Sequence, residues 1–562
     1  MKHILVGFLV SVIFLLCISN TYTRSLEDAG PAAADLVVET TSGAVRGGYG
    51  GRTPVGGNPV YWFRSIPFAE PPVGNLRFQP PVPVRRWSGV RDVFEKRPQC
   101  LQGGEGFVQG SEDCLYLKIY TTKLPREQKK LPVMVWIYGG AFFAGAADFD
   151  DHSPDLLLDQ DVIVAALHYR VGIFGFLSTE DLVVPGNNGL KDQIEALRWI
   201  KKNIERFGGD PDNITIFGQS AGGASVGYLL QTPQTQGLFN RAILHSGSPL
   251  CLWSLSRVAL DLARSVASNL NVDSSDTQTL VDNLRGVDAE ELQSSYMSTM
   301  MGKFLSQNLR DGLVVAPVIE PEHEGAVLTG KSHQLLSDGQ FHKVPIIIGY
   351  TSLEARLSEI PDIFRIFLLQ YDLQPSKLVP IDMGITSLIT RSSVGRQIRS
   401  HYFPNGMISQ SYLETMEFIS DDQFARPIQE AARLFSRHTD VYFYRFSHEG
   451  SLFGVRNRTV SGVGHTEDLG YLFDFGHEGS AEDYLTRNRV VKLWTNFAKS
   501  GNPTPVRDPL LQNIQWTPAN GENVAYLEID KDLQVSANPN SRDITFWKSL
   551  YDRNGRPPYA TY

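Results

Sequence analysis

The chain of 562 residues is 42% hydrophobic and 20% charged, and its formal net charge is −9 at pH 7. This is apolar material enough for a large globular core. The acidic balance, with no basic run, argues against a nucleic-acid partner. In chain order, Met1-Lys-His3 and the apolar run Ile4 to Ile18 read as a signal peptide over residues 1–19, too short for a comfortable bilayer span. Residues 20–35 read as a loose leader, and residues 36–562 as a single domain without internal repeats.

From Leu36 to about Trp62, short alternating runs predict small antiparallel strands. Phe63 to Phe78 is punctuated by prolines and is expected to be extended rather than helical. Val133–Ile137 and Val162–Tyr169 are buried-strand candidates; the first runs directly into Tyr138-Gly-Gly-Ala-Phe142. Asp192–Phe207 carries helical periodicity and ends at Gly208-Gly209. Ala242–Ser246, Val344–Gly349 and Val441–Phe446 return to strand, and Asp483–Ser500 and Asp543–Tyr551 to helix. Residues 355–420 are richer in helical pieces (Ile360–Tyr371, Ser409–Glu417) and read as a cap beside the site. Apolar strands alternating with helices predict an α/β fold with a mainly parallel sheet covered on both faces.

Of four cysteines, Cys17 leaves with the signal. Cys100 and Cys114 are the natural pair, and Cys251 is left over as a buried apolar residue. Asn213-Ile-Thr and Asn457-Arg-Thr are glycosylation sequons, of which Asn457 is the better placed because Asn213 abuts a central strand. No later stretch is apolar enough to span a bilayer, and the C-terminal residues carry neither a lipid-anchor tail nor a retention tetrapeptide. The expectation is a secreted protein without a membrane anchor; the oligomeric state stays open.

Ile214-Thr-Ile-Phe217 meets Gly218-Gln-Ser220-Ala-Gly222, and a run of small residues opens the next helix. This strand–turn–helix pattern holds its serine out in strained backbone geometry at the positive end of a helix. A serine hydroxyl needs a base and an orienting acid. Glu354 lies just beyond the strand ending near Tyr350, and His465 lies in the glycine-rich loop Gly462-Val-Gly-His. In this order, His465 would take the Ser220 proton while Glu354 fixes its tautomer. An oxyanion hole needs converging N–H groups, of which Gly139-Gly140-Ala141 can supply two and Ala221 a third. No metal or organic cofactor enters this chemistry.

With these motifs the chain resembles the type-B carboxylesterases of the cholinesterase family, within the α/β-hydrolases. The match covers nearly everything after residue 36 and is carried by Phe217-Gly-Gln-Ser-Ala-Gly-Gly-Ala-Ser225 and Glu112-Asp-Cys-Leu-Tyr-Leu117. The resemblance implies a Ser220, Glu354, His465 triad, an oxyanion hole of Gly140, Ala141 and Ala221, and a Cys100–Cys114 disulfide. It also implies ion pairs of Arg77 with Glu112 and of Arg170 with Asp192, and a supporting hydrogen bond from Ser246. Gln219 stands where Glu is commoner and is similar to the elbow of insect juvenile hormone esterases. Ala355 replaces the usual glycine after the acid. Residues 101–113 contain no Trp for a choline ligand. Phe142, Phe143 and Trp253 would line a gorge for an apolar acyl or alcohol group, or else belong to the core. The implied activity is hydrolysis of small hydrophobic esters through an acyl-serine intermediate, with juvenile hormone, odorant or pheromone, and dietary esterase roles competing. A reading from another class, a non-catalytic adhesion or ligand-binding module like the neuroligins, would be expected to lose a triad residue.

Overall fold

The computed structural model describes residues 36–104, 106–123, 130–149, 152–306, 308–356, 362–455 and 457–562. The signal peptide and leader expected over residues 1–35 lie outside the described residues. Fourteen strands occur among them. A small sheet holds β1 (Val37–Glu39), β2 (Ala44–Arg46) and β5 (Val90–Asp92). The main sheet of eleven holds β3 (Gly48–Arg52), β4 (Pro59–Pro67), β6 (Tyr116–Thr121), β7 (Leu131–Ile137), β8 (Ile163–Leu167), β9 (Gly209–Gln219), β10 (Arg241–His245), β11 (Ile346–Thr351), β12 (Val441–Phe446), β13 (Ala525–Ile529) and β14 (Leu533–Ala537).

Their spatial order is β14-β13-β12-β11-β10-β9-β7-β8-β6-β4-β3. The strands from β8 to β13 pair in parallel, and antiparallel strands close both edges. Every residue of β8 and of β11 is buried. Successive side chains of a strand point to opposite faces, so both faces of the sheet are covered, as the unbroken apolar runs predict. This is the α/β-hydrolase architecture.

The chain runs from β7 outward to β8, then reverses and builds β9 to β13 on the other side of β7. In an open α/β sheet such a reversal leaves a crevice at the strands' carboxyl ends. β7 and β9 meet there in register, Ile137 opposite Gly218. The residues that follow, Gly139–Ala141 and Ser220, therefore emerge side by side.

Several boundaries differ from the expectations. The helix expected over Asp192–Phe207 spans Asn188–Asn203 and tightens into a 3-10 turn at Ile204–Phe207. Its first turn, Asn188-Gly-Leu-Lys, hides the start because Asn188 and Lys191 are buried through hydrogen bonds to distant partners rather than as apolar side chains. Within the expected extended stretch, Gly74–Leu76 makes a single 3-10 turn. The cap adds a helix at Leu388–Tyr402. Three more helices, Ala259–Asn269, Thr277–Gly286 and Ala289–Ser306, form where the sequence reading places no element. Among the described residues no helix is long and apolar enough to cross a membrane.

Candidate active site

Ser220 terminates β9 at φ 58°, ψ −123° and N-caps the helix Ala221–Gln231. A non-glycine residue reaches this region only when its surroundings impose it. Here Ser220 N–H donates to the His245 carbonyl (2.8 Å), and the Ser220 carbonyl accepts from Ala224 N–H (2.9 Å). Gly222 lets the helix start press against β7: a Cβ there would stand 2.0 Å from the Ile137 carbonyl oxygen. The loop after β7 is equally close, since a Cβ on Gly139 would lie 3.0 Å from Ser220 Cβ. Gly140 (φ 108°) and Ala141 (φ 51°) turn the chain beside the serine. Among the described residues, no backbone hydrogen bond engages the N–H of either one.

Glu354 and His465 come together as expected. His465 Nδ1 donates to Glu354 Oε2 at 2.6 Å, while Glu354 Oε1 accepts from Thr351 N–H at 2.8 Å. The carboxylate is buried and the imidazole is 26% exposed, so the pair offers a wet edge to a substrate and hides its acid. A second link, His465 N–H to the Glu354 carbonyl at 3.0 Å, holds the two loops together. With the proton on Nδ1, Nε2 is the free base. Its neighbour is Gln219, whose Nε2 lies 3.1 Å away. No hydrogen bond joins His465 to Ser220 Oγ among the described residues, so the expected proton path is open by one step. Catalytic hydrogen bonds of this kind often tighten only around a substrate.

The sequence reading missed one neighbour, Phe424, and did not foresee that the expected Trp253 reaches the site through it. Phe424 packs on His465 with ring centroids 4.9 Å apart, and Trp253 packs on Phe424 at 5.7 Å. Phe424 sits in a π-helical turn, Asp421–Ala425, between the helices Tyr412–Ser420 and Arg426–Phe435. Such turns insert one extra residue and re-aim side chains, and nothing in the local sequence marks them. Of the three aromatics expected in a gorge, Phe142 is completely buried against Phe176 (5.2 Å) and belongs to the core. Phe143 is half-buried.

Beneath the nucleophile lies a second, fully buried histidine–carboxylate pair. His245 Nδ1 faces Asp468 Oδ2 (3.2 Å) and Tyr444 Oη (3.0 Å). Trp494 Nε1–H donates to His245 Nε2 (2.9 Å). Indole nitrogen only donates, so this imidazole is neutral with its proton on Nδ1. Ser246 departs from expectation: its hydroxyl is buried with no hydrogen-bond partner among the described residues. Ser246 is instead tied through its backbone, at φ 47° with its N–H on the Gly349 carbonyl (2.9 Å).

The structural pairs are present. Cys100 and Cys114 are disulfide-bonded. Arg77 binds Glu112 bidentately (2.7 and 2.7 Å) and donates to the carbonyls of Leu284, Arg285 and Val287 at the end of the helix Thr277–Gly286. Arg170 grips Asp192 in the same way (2.8 and 2.7 Å). Cys251 is buried, and burial pushes its thiol up to about 12, so it stays protonated and unreactive at neutral pH. Asn457 is exposed, whereas Asn213 is half-buried within β9, with its Oδ1 accepting from Arg241. Among the described residues no cluster of His, Cys, Asp or Glu could hold a metal ion.

A family model described as "Carboxylesterase family" matches residues 34–547. Human cocaine esterase is 34% identical over 513 residues, covering 87% of each chain. Juvenile hormone esterase from Tribolium castaneum is 33% identical over 530 residues, covering 86% of each. Among solved structures, juvenile hormone esterase from Manduca sexta with OTFP covalently attached superposes with a TM-score of 0.79 at 30% identity. That likeness covers 92% of this chain and 99% of that one.

Proposed function

Since the chain belongs to the carboxylesterase family and is a carboxylic ester hydrolase, we propose that it cleaves small hydrophobic esters with Ser220 as nucleophile, His465 as base and Glu354 as orienting acid. The observation that carries this reading is the 2.6 Å bond from His465 Nδ1 to buried Glu354, beside a serine held at φ 58° on a helix N-terminus. Ser220 Oγ adds to the ester carbonyl carbon and gives its proton to His465 Nε2. The carbonyl oxygen becomes an alkoxide, received by the N–H groups of Gly140, Ala141 and Ala221. Collapse breaks the bond to the alcohol, which leaves with the proton from Nε2. Water then repeats the sequence on the acyl-serine, releasing the acid and restoring Ser220.

Trp253 and Phe424 beside His465 give the site an apolar wall, which suits a hydrophobic acyl or alcohol group better than a charged one. Likeness to two insect juvenile hormone esterases supports a hormone-ester substrate, and likeness to cocaine esterase supports a broader one. The apolar run at residues 4–18 supports secretion, and exposed Asn457 is the sequon to carry glycan.

The test is turnover of a short p-nitrophenyl ester and of juvenile hormone by purified protein, with and without an organophosphate. Inhibitor-sensitive turnover of the hormone at low substrate supports the hormone reading; turnover of the simple ester alone supports a general or odorant esterase. Ser220→Ala is expected to lose about 10⁴-fold or more in kcat. Comparable activity in that variant would remove Ser220 from its role. Ligand binding without turnover would revive the neuroligin-like alternative.

A further inference from the structure

Gln102 lies two residues after Cys100, inside the loop closed by the disulfide, and is 2% exposed. Its side-chain amide pairs with both backbone groups of one residue, Gly145, in the loop that follows β7. Gly145 N–H donates to Gln102 Oε1 (2.9 Å), and Gln102 Nε2 donates to the Gly145 carbonyl (2.9 Å) and to the Cys100 carbonyl (3.0 Å). The platform beneath it is braced. Gln102 and Gln109 exchange backbone hydrogen bonds (3.0 and 2.9 Å), and Gln293 Nε2 donates to the Gly103 carbonyl (2.7 Å).

Gly145 is the far end of the turn that begins at Gly139. Phe143 and Ala144 both donate to the Gly140 carbonyl (3.1 Å each), and Gly172 N–H donates to the Phe142 carbonyl (2.8 Å), so the turn is tied to itself and to the segment after β8. Its near end is fixed by β7. Its far end returns against the near one: a Cβ on Gly145, at φ 121°, would stand 2.4 Å from the Gly139 carbonyl oxygen. Gln102 is thus a two-way clamp on the far end of the segment that carries the Gly140 and Ala141 N–H groups. We propose that Gln102 is a positioning residue for the oxyanion hole, locking the Gly139–Gly145 turn to the disulfide loop so that those N–H groups hold their aim. The proposal rests on the reading of Gly140, Ala141 and Ala221 as that hole.

A buried amide that merely satisfies a peptide would contribute to stability and leave the chemical step alone. An aim-setting amide affects the transition state more than the ground state, because the oxyanion forms only there. The experiment compares wild type, Gln102→Met and Gln102→Glu, with active sites titrated by an organophosphate. It measures kcat, KM and the affinity of a trifluoromethyl ketone, which becomes an oxyanion on adding to the serine.

Gln102→Met is expected to lower kcat per titrated site about 10- to 100-fold. KM stays within about twofold, while ketone affinity falls in step with kcat. In Gln102→Glu the carboxylate can accept from Gly145 but cannot donate. Burial favours its protonated form on acidification, which restores the donor, so its kcat relative to wild type rises from about pH 8 to about pH 6. Wild-type kcat and ketone affinity in Gln102→Met overturn the proposal, as does a loss confined to the number of titratable sites. Ser220→Ala run in parallel separates the two levels. A Gln102→Met enzyme as active as wild type beside a dead Ser220→Ala sinks only the clamp, whereas activity in Ser220→Ala sinks the site reading itself.

Discussion

At the scale of single residues, Gln219 is the side chain whose consequence is most direct. It lies 3.1 Å from the nitrogen that must take the serine proton, and it is neutral where relatives of the type-B family commonly place Glu. A carboxylate there would favour the protonated imidazole, which cannot act as a base. Gln219→Glu is therefore expected to move the acid limb of the kcat/KM profile toward higher pH, leaving the plateau within about tenfold of wild type. Superimposable profiles would show that residue 219 does not reach the base electrostatically. Ser220, Glu354 and His465 were legible because the elbow, the post-strand acid and the glycine-flanked histidine each carry a local pattern. Gln102, His245 and Phe424 were not: each acts through a partner about 40 or more residues away in the chain, and no local pattern encodes such a distance.

At the scale of elements, the π-helical turn Asp421–Ala425 links placement of Phe424 to a buried acid. Asp421 is 6% exposed and accepts from Tyr402 Oη (3.0 Å) and Asn540 Nδ2 (3.1 Å). Burial, followed by the nearby carboxylate of Asp543, pushes its carboxyl from 3.8 up to about 7. The folded protein thus keeps a proton that the unfolded chain has already released. Its stabilising contribution is complete below about pH 4 and is lost as pH rises toward about 7, a total of about 1–4 kcal/mol. Asp421→Asn, which cannot ionise, is expected to gain in Tm relative to wild type across that window and to hold the gain above it. A difference that stays constant from pH 4 to pH 8 would deny the titration. The central strands were readable from unbroken apolar runs, whereas β13 and β14 were not read; the helix expected over Asp483–Ser500 ends as expected before Gly501 but starts at Ala481, behind a Ser480–Asp483 capping box. The three helices between Ala259 and Ser306 were not read, although two carry local signals: Ala259, Leu262, Ala263, Val266 and Ala267 repeat at helical spacing, and Asp276 caps the second on Thr279 N–H; the π-turn has no such mark.

Across the whole molecule, the reversal of strand order between β7 and β9 explains why the site lies where it does. The parallel sheet was foreseeable from alternating strands and helices, but the order of strands was not, since a run such as Val133–Ile137 reads alike at the centre or toward an edge. The site draws on Gln102, Gly139–Gly145, Ser220, Glu354 and His465, and the imidazole beneath the nucleophile is completed by Trp494. Bringing such separated segments together is slow, because the chain closes long loops before those contacts reward it. Refolding followed in time is therefore expected to recover far-ultraviolet helical signal well before ester hydrolysis. Coincident recovery of the two would mean that the crevice forms with the first helices. On the expected course, the last-formed contacts decide when the chain becomes an enzyme, and hydrolysis becomes a clock for the completion of its fold.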